Sequence, residues 1–133
     1  MAYPVRVIDA YAPFSQVEEM MRIYASRHLP VVSGDGRLIG LITQRDLYRV
    51  APPKINDEGA RFYIKEDLDE YILRHVMTKN PFALRPEDSL ADGLTAMVKH
   101  RYGCVPIVDS AYHLAGIITQ SDIVRRAAAI VRG

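Results

Sequence analysis

The chain has one cysteine, no tryptophan and no apolar run long enough to cross a bilayer. A single cysteine excludes an intrachain disulfide and suits a reducing compartment. The formal net charge is only +1, which provides no broad electrostatic pull toward nucleic acid or acidic lipid. The opening residues, Met1-Ala2-Tyr3-Pro4-Val5-Arg6, lack the apolar core of a signal peptide. These absences give the expectation of a soluble cytoplasmic protein. Against them stand 133 residues, 49% hydrophobic and 25% charged, enough for one domain or for two small lobes sharing a core.

What is present is a repetition. Gly40-Leu41-Ile42-Thr43-Gln44-Arg45-Asp46 returns as Gly116-Ile117-Ile118-Thr119-Gln120-Ser121-Asp122. The offset is 76 at each shared position (116 − 40, 119 − 43, 122 − 46), and Pro30 and Pro106 obey it inside Leu29-Pro30-Val31-Val32 and Val105-Pro106-Ile107-Val108. A shared register of this length marks an internal duplication. Repeat one is expected at residues 1–51, a connector at 52–75 and repeat two at 76–133.

Each repeat reads β-α-β-β-α. Val5 to Asp9 alternates like a short strand, and Pro13 precedes a helix with Ser15 as N-cap and Glu18 at the capping-box position. Val17, Met20, Met21 and Tyr24 share one face of that helix. Leu29 to Val32 and Arg37 to Thr43 form a hairpin around Ser33-Gly34-Asp35-Gly36, and a helix from Asp46 ends at Pro52-Pro53. Residues 54–59 read as a polar connector without core-forming periodicity. An amphipathic helix follows from Lys65, with Leu68, Tyr71, Ile72 and Val76 inward and Glu66, Asp67, Asp69 and Glu70 on a solvated face.

In repeat two a helix begins at Pro86-Glu87-Asp88-Ser89 and turns Leu90, Leu94, Met97 and Val98 inward. Aligning Pro13 with Pro86 leaves the first helix of repeat one nearly a turn short. The last helix is apolar nearly all round (Ile123, Val124, Ala127, Ala128, Ile130, Val131), so one face is assigned to its own domain and the other to a partner chain, giving a homodimer.

The chemistry lies in Thr-x-x-Asp. Thr43 and Thr119 stand where a strand turns into a helix, beside backbone N–H groups that lack helical partners and favour an anion. An Asp one turn on can accept both hydroxyls of a ribose. The same pattern is also a capping box that needs no ligand, and the motif alone leaves the two readings open. His100 and Cys104, four apart, lack further metal ligands nearby. Arg125, Arg126 and Arg132 read as a solvated helix face more readily than as a nucleic-acid contact. No nucleophile–base pair or metal set points to catalysis.

The duplicated unit resembles a tandem pair of CBS domains, the modules named after cystathionine β-synthase. The resemblance rests on the two Pro-containing strands, the two Gly-x-x-Thr-x-x-Asp segments, and the Val76-Met77-Thr78-x-Asn80-Pro81 opening of repeat two. It implies an α/β (α+β) fold in which two β-α-β-β-α repeats pack as a pseudo-twofold pair around two clefts. It also implies a non-enzymatic regulatory module with no required cofactor, whose ligand is an adenine nucleotide (AMP, ADP or ATP) or S-adenosylmethionine.

Carried onto this chain, Asp46 and Asp122 would hold riboses, and Thr43 and Thr119 would contact ribose or phosphate. Leu41 and Ile117 would lie beside the base, with Arg45 and Ser121 as further contacts. Arg27-His28 would point at phosphate, a role absent from Gly103-Cys104 at the matching place in repeat two; an exposed helix-end pair is the plainer reading. The Asp122 cleft would draw on Ile8 to Tyr11 and the Asp46 cleft on Asn80 to Ala83. An unidentified protein partner would receive the signal.

Overall fold

The computed structural model describes residues 5–132. The reading of the first six residues as leaderless therefore falls largely outside it.

Repeat one begins with β1 (Ile8–Asp9), α1 (Phe14–Ile23), β2 (His28–Val32), β3 (Leu38–Thr43) and α2 (Gln44–Val50). Strand β1 is parallel to β2, whose antiparallel partner β3 follows a turn closed by Gly36 at φ 86°. That left-handed conformation suits glycine, which has no Cβ to clash. Alternation along β3 buries Leu38, Gly40 and Ile42 on one side and turns Leu41 and Thr43 the other way.

The connector is more structured than its polarity implies. Strands β4 (Lys54–Ile55) and β5 (Arg61–Phe62) pair as a small hairpin, whose turn is held by Asn56 Oδ1 accepting the N–H groups of Glu58 and Ala60. The amphipathic helix divides into α3 (Lys65–Leu68) and α4 (Leu73–Val76). Leu68 and Leu73 are five apart and would point well away from each other on one continuous helix. The break lets both bury, at 2% and 1% exposure, against repeat one. The acidic face is only partly solvated, because Asp69 Oδ1 accepts the Ser15 N–H at 2.8 Å. Ser15 is thus not an N-cap. Burial of Phe14 starts α1 one residue earlier, after Pro13, and Glu18 pairs with Arg22 instead of closing a capping box.

Repeat two supplies β6 (Thr78–Lys79), α5 (Leu90–His100), β7 (Cys104–Val108), β8 (Leu114–Thr119) and α6 (Gln120–Arg132). Strand β6 does not join its own repeat. It pairs antiparallel with β3, making a four-stranded sheet in the order β1-β2-β3-β6. Gly40 faces this crossing, where a Cβ would come within 2.4 Å of Met77 Sδ. Leu84 bridges Ile107 in parallel, 76 residues on from Ile8 and Val31 (84 − 8, 107 − 31). The β-bulges obey the same offset.

Helices α1 and α5 both start at that offset (90 − 14 = 76), so the first helix is not truncated. The additional residues around Pro86 form a turn closed by the Asp88 N–H on the Arg85 carbonyl. Ser89 caps α5 through the Asp92 N–H. Of the residues assigned inward on α5, Met97 is buried and Leu94 half-buried, whereas Leu90 and Val98 are exposed. The apolar core is therefore lopsided. Eleven buried residues gather around repeat one and its connector, while the cluster in repeat two contains only Leu84, Met97 and Val105.

The hairpin turns of the two repeats touch reciprocally. The Leu38 N–H donates to the Tyr112 carbonyl (3.1 Å), and the Leu114 N–H to the Gly36 carbonyl (3.3 Å).

Candidate functional site

The two Thr-Asp pairs are built alike because strand ends and helix starts coincide in both repeats. Asp46 Oδ2 accepts from the Thr43 N–H and Oγ1–H at 3.0 Å each, and the Asp46 N–H returns a bond to Thr43 Oγ1. In repeat two, Asp122 Oδ2 accepts the Thr119 N–H and the Asp122 N–H donates to Thr119 Oγ1, both at 3.2 Å. The capping box is therefore formed in repeat one, with its counterpart bonds in repeat two. Each second oxygen meets an arginine three residues on: Arg49 to Asp46 at 3.4 Å and Arg125 to Asp122 at 2.8 Å. Burial works against ionisation of Asp122, but the bonds from Thr119 and the charge of Arg125 outweigh it and hold the carboxyl below its usual range.

All ten residues singled out from the sequence (Arg27, His28, Leu41, Thr43, Arg45, Asp46, Ile117, Thr119, Ser121 and Asp122) line one cavity of about 1450 Å³. Its volume exceeds that of a usual small-molecule pocket, so the two clefts open into a common space. The Thr78 to Phe82 segment lines it beside β3, whereas Ile8 to Tyr11 does not: Ile8 is in the core and Tyr11 is 79% exposed beneath Arg74. Val5 and Arg6 line it in place of that segment.

The cavity also takes in residues that the motif did not reach. Tyr102 stacks on both Phe82 and His100, with ring centroids at 5.8 and 5.3 Å. At matching positions in repeat one, the Arg6 guanidinium lies 3.9 Å over the Tyr24 ring. The offset could have exposed this pairing, since 82 − 6 and 100 − 24 both equal 76. Arg6, Arg27, Arg45, Arg101 and Arg125 face two carboxylates, Asp46 and Asp122, so the cavity favours anions.

Near its centre the His28 ring lies against Gly103, where a Cβ would come within 2.6 Å of Nε2. Burial, aided by the charge of Arg27, lowers the His28 pKa. Cys104, the counterpart of His28, is buried and its thiol is pushed up to about 12. His100 is turned into the aromatic stack and does not pair with it. Among the described residues no group of His, Cys, Asp or Glu could hold a metal ion, and no helix is long and apolar enough to cross a membrane.

Two β-α-β-β-α repeats around a shared anion-favouring cavity define a tandem-repeat ligand-binding class. The chain belongs to the CBS domain family, whose model matches residues 1–52 and 73–129. It is similar in structure to AcuB from Vibrio cholerae (26% identity, 99% of this chain and 90% of that one, TM-score 0.78). It is likewise similar to CBSX2 from Arabidopsis thaliana solved with AMP (21%, 95% and 89%, 0.74). A third likeness is the CBS domain pair of MJ0100, solved with 5′-methylthioadenosine and S-adenosyl-L-methionine (20%, 97% and 92%, 0.76).

Among curated sequences it is similar to a homoserine O-acetyltransferase of Methanocorpusculum labreanum, at 29% identity over 87% of this chain and 21% of that protein. An inosine-5′-monophosphate dehydrogenase of Bifidobacterium longum matches at 34% over 73% and 16%. The chain spans about a fifth of the length of these relatives.

Proposed function

We propose that the chain is a non-enzymatic regulatory module that binds an adenine nucleotide in the cavity between its repeats. One observation carries this reading: both Thr-Asp pairs and five arginines converge on a single cavity. Asp46 and Asp122 hold ribose hydroxyls through the oxygens that Arg49 and Arg125 now contact, and those arginines are mostly exposed and free to swing aside. Arg27, His28 and Arg45 serve the phosphates, Leu41 and Ile117 flank the base, and Thr43, Thr119 and Ser121 add hydrogen bonds. AMP in CBSX2 and the adenosyl ligands of MJ0100 support the ligand class. The clefts are unequal, since aromatic Phe82 and Tyr102 in one half match Arg6 and Ser26 in the other.

Binding biases one arrangement of the repeats and passes it to a partner protein in the cytoplasm, to the extent that the ligand prefers that arrangement. Val124, Ala128 and Val131, spaced i, i+4, i+7 on α6 and exposed, support a homodimer contact. Isothermal titration with AMP, ADP, ATP and S-adenosylmethionine tests the reading, and the absence of heat and thermal shift with all four would sink it.

The completed capping bonds favour a second reading, a structural module whose Asp46 and Asp122 only hold helix ends. On that reading alanine at either position costs about 1 kcal/mol and alters no ligand affinity.

A further inference from the structure

Phe14 and Leu90 hold the same place in the two repeats, at the start of α1 and α5, yet Phe14 is 1% exposed and Leu90 58%. The difference is the connector. Tyr71 packs its ring 5.6 Å from that of Phe14 and donates its hydroxyl to the Val50 carbonyl (2.7 Å), while Leu68 and Leu73 bury beside it. Arg74 closes the far end by donating to the Ala10 carbonyl. The connector occurs once in the chain, and repeat two shows no equivalent cover among the described residues. Every residue of α6 from 124 to 132 is exposed. This helix also runs six residues beyond the end of its counterpart (50 + 76 = 126, against 132). Ala127 and Ile130 there continue the stripe that starts at half-buried Ile123, at i, i+4, i+7.

We infer that this uncovered face, centred on Leu90 and running along Ala127 and Ile130, docks an amphipathic segment of a partner protein that resembles the connector. The chain supplies the template for its chemistry. Two leucines and a tyrosine, spaced as Leu68, Tyr71 and Leu73, fill the apolar stripe. Charge sets the flanks: Arg126 stands where repeat one has Val50, so a carboxylate belongs beside α6. Glu87 stands where repeat one has Tyr11, so a base belongs at the Arg74 position. Asp69 is the one misfit, because its partner Ser15 is followed by Gln16 whereas the matching Ala91 is followed by Asp92. The segment therefore carries a neutral residue there.

The test uses a fluorescent synthetic peptide of residues 63–76 with Asn in place of Asp69, titrated against the full chain by anisotropy. Saturable binding is expected, weakened about tenfold or more in Leu90→Glu and in Ala127→Glu. Both positions are exposed, so circular dichroism of the variants should match the parent. Asp46→Ala should leave peptide binding unchanged, which separates this site from the nucleotide cavity. A peptide that fails to saturate near millimolar concentration, or that binds Leu90→Glu as well as the parent, overturns the inference. So does a dimer that Leu90→Glu dissociates in sedimentation, since a second copy would then cover the face.

Discussion

Arg37 and His113 are 76 residues apart (113 − 37) and pair with each other as an isolated antiparallel bridge. A residue that meets its own counterpart lies on the axis relating the copies, so the pseudo-twofold passes between these two side chains. The reciprocal Leu38–Tyr112 and Leu114–Gly36 bonds flank that point. His28 against Gly103 marks the crossing between the repeats at the cavity. The axis thus links a backbone clamp between the hairpin turns to the imidazole within the cavity.

Gly103→Ala should destabilise the fold by about 1–3 kcal/mol, because its Cβ would press on the His28 ring in a region with little room to relax. Pairing it with His28→Ala should recover much of the loss. A double-mutant cycle by urea denaturation measures this, and additive losses would refute the contact.

Phe14→Ala should cost about 3–5 kcal/mol, the usual range for emptying a buried aromatic site. Leu90→Ala at the same place in the second copy should cost no more than about 0.5 kcal/mol, because the side chain is exposed. Comparable midpoints for the two variants would contradict the lopsided core.

The pH dependence follows from His28. Burial, then the charge of Arg27, places its folded-state pKa below the ordinary 6.5. Between the lowered value and 6.5 the unfolded chain binds a proton that the folded chain does not. The contribution of His28 is therefore fully present above about 6.5 and is lost as pH falls through that window. A two-dimensional imidazole titration should give a value under 6.5, and His28→Gln should flatten the acid side of the stability profile.

Cys104 should resist thiol reagents in the native state at pH 8, since burial keeps it both protonated and inaccessible. Alkylation followed by mass spectrometry should label it rapidly only after denaturation. Rapid labelling of the native chain would show that β7 opens.

Much of this was legible because one number, the offset, transfers every structural role from one copy to the other. It located the hairpins, the capped helix starts and the residues that now line one cavity. Proline misled where offset did not: Pro13 and Pro86 look equivalent, but Pro86 lies in a turn before Ser89, and only Phe14 and Leu90 mark the same helical position. The hairpin of Lys54–Ile55 and Arg61–Phe62 was hidden because both two-residue strands are exposed and leave no alternating pattern. The fate of Leu90 could not be read locally. Whether an apolar helix residue is covered depends on where the connector lies, and the connector lies on the other repeat.

The crossing of β6 onto β3 has a consequence for synthesis. The edge of β3 waits for Thr78 and Lys79, 35 residues after Thr43 (78 − 43), to emerge. At ribosomal speeds of about 5–20 residues per second that strand edge stands open for roughly 2–7 s. In that interval any extended segment nearby competes for the position. The nascent chain is therefore most exposed to mispairing before its second half begins, and a chaperone that holds it then would do more for yield than one that meets the finished protein.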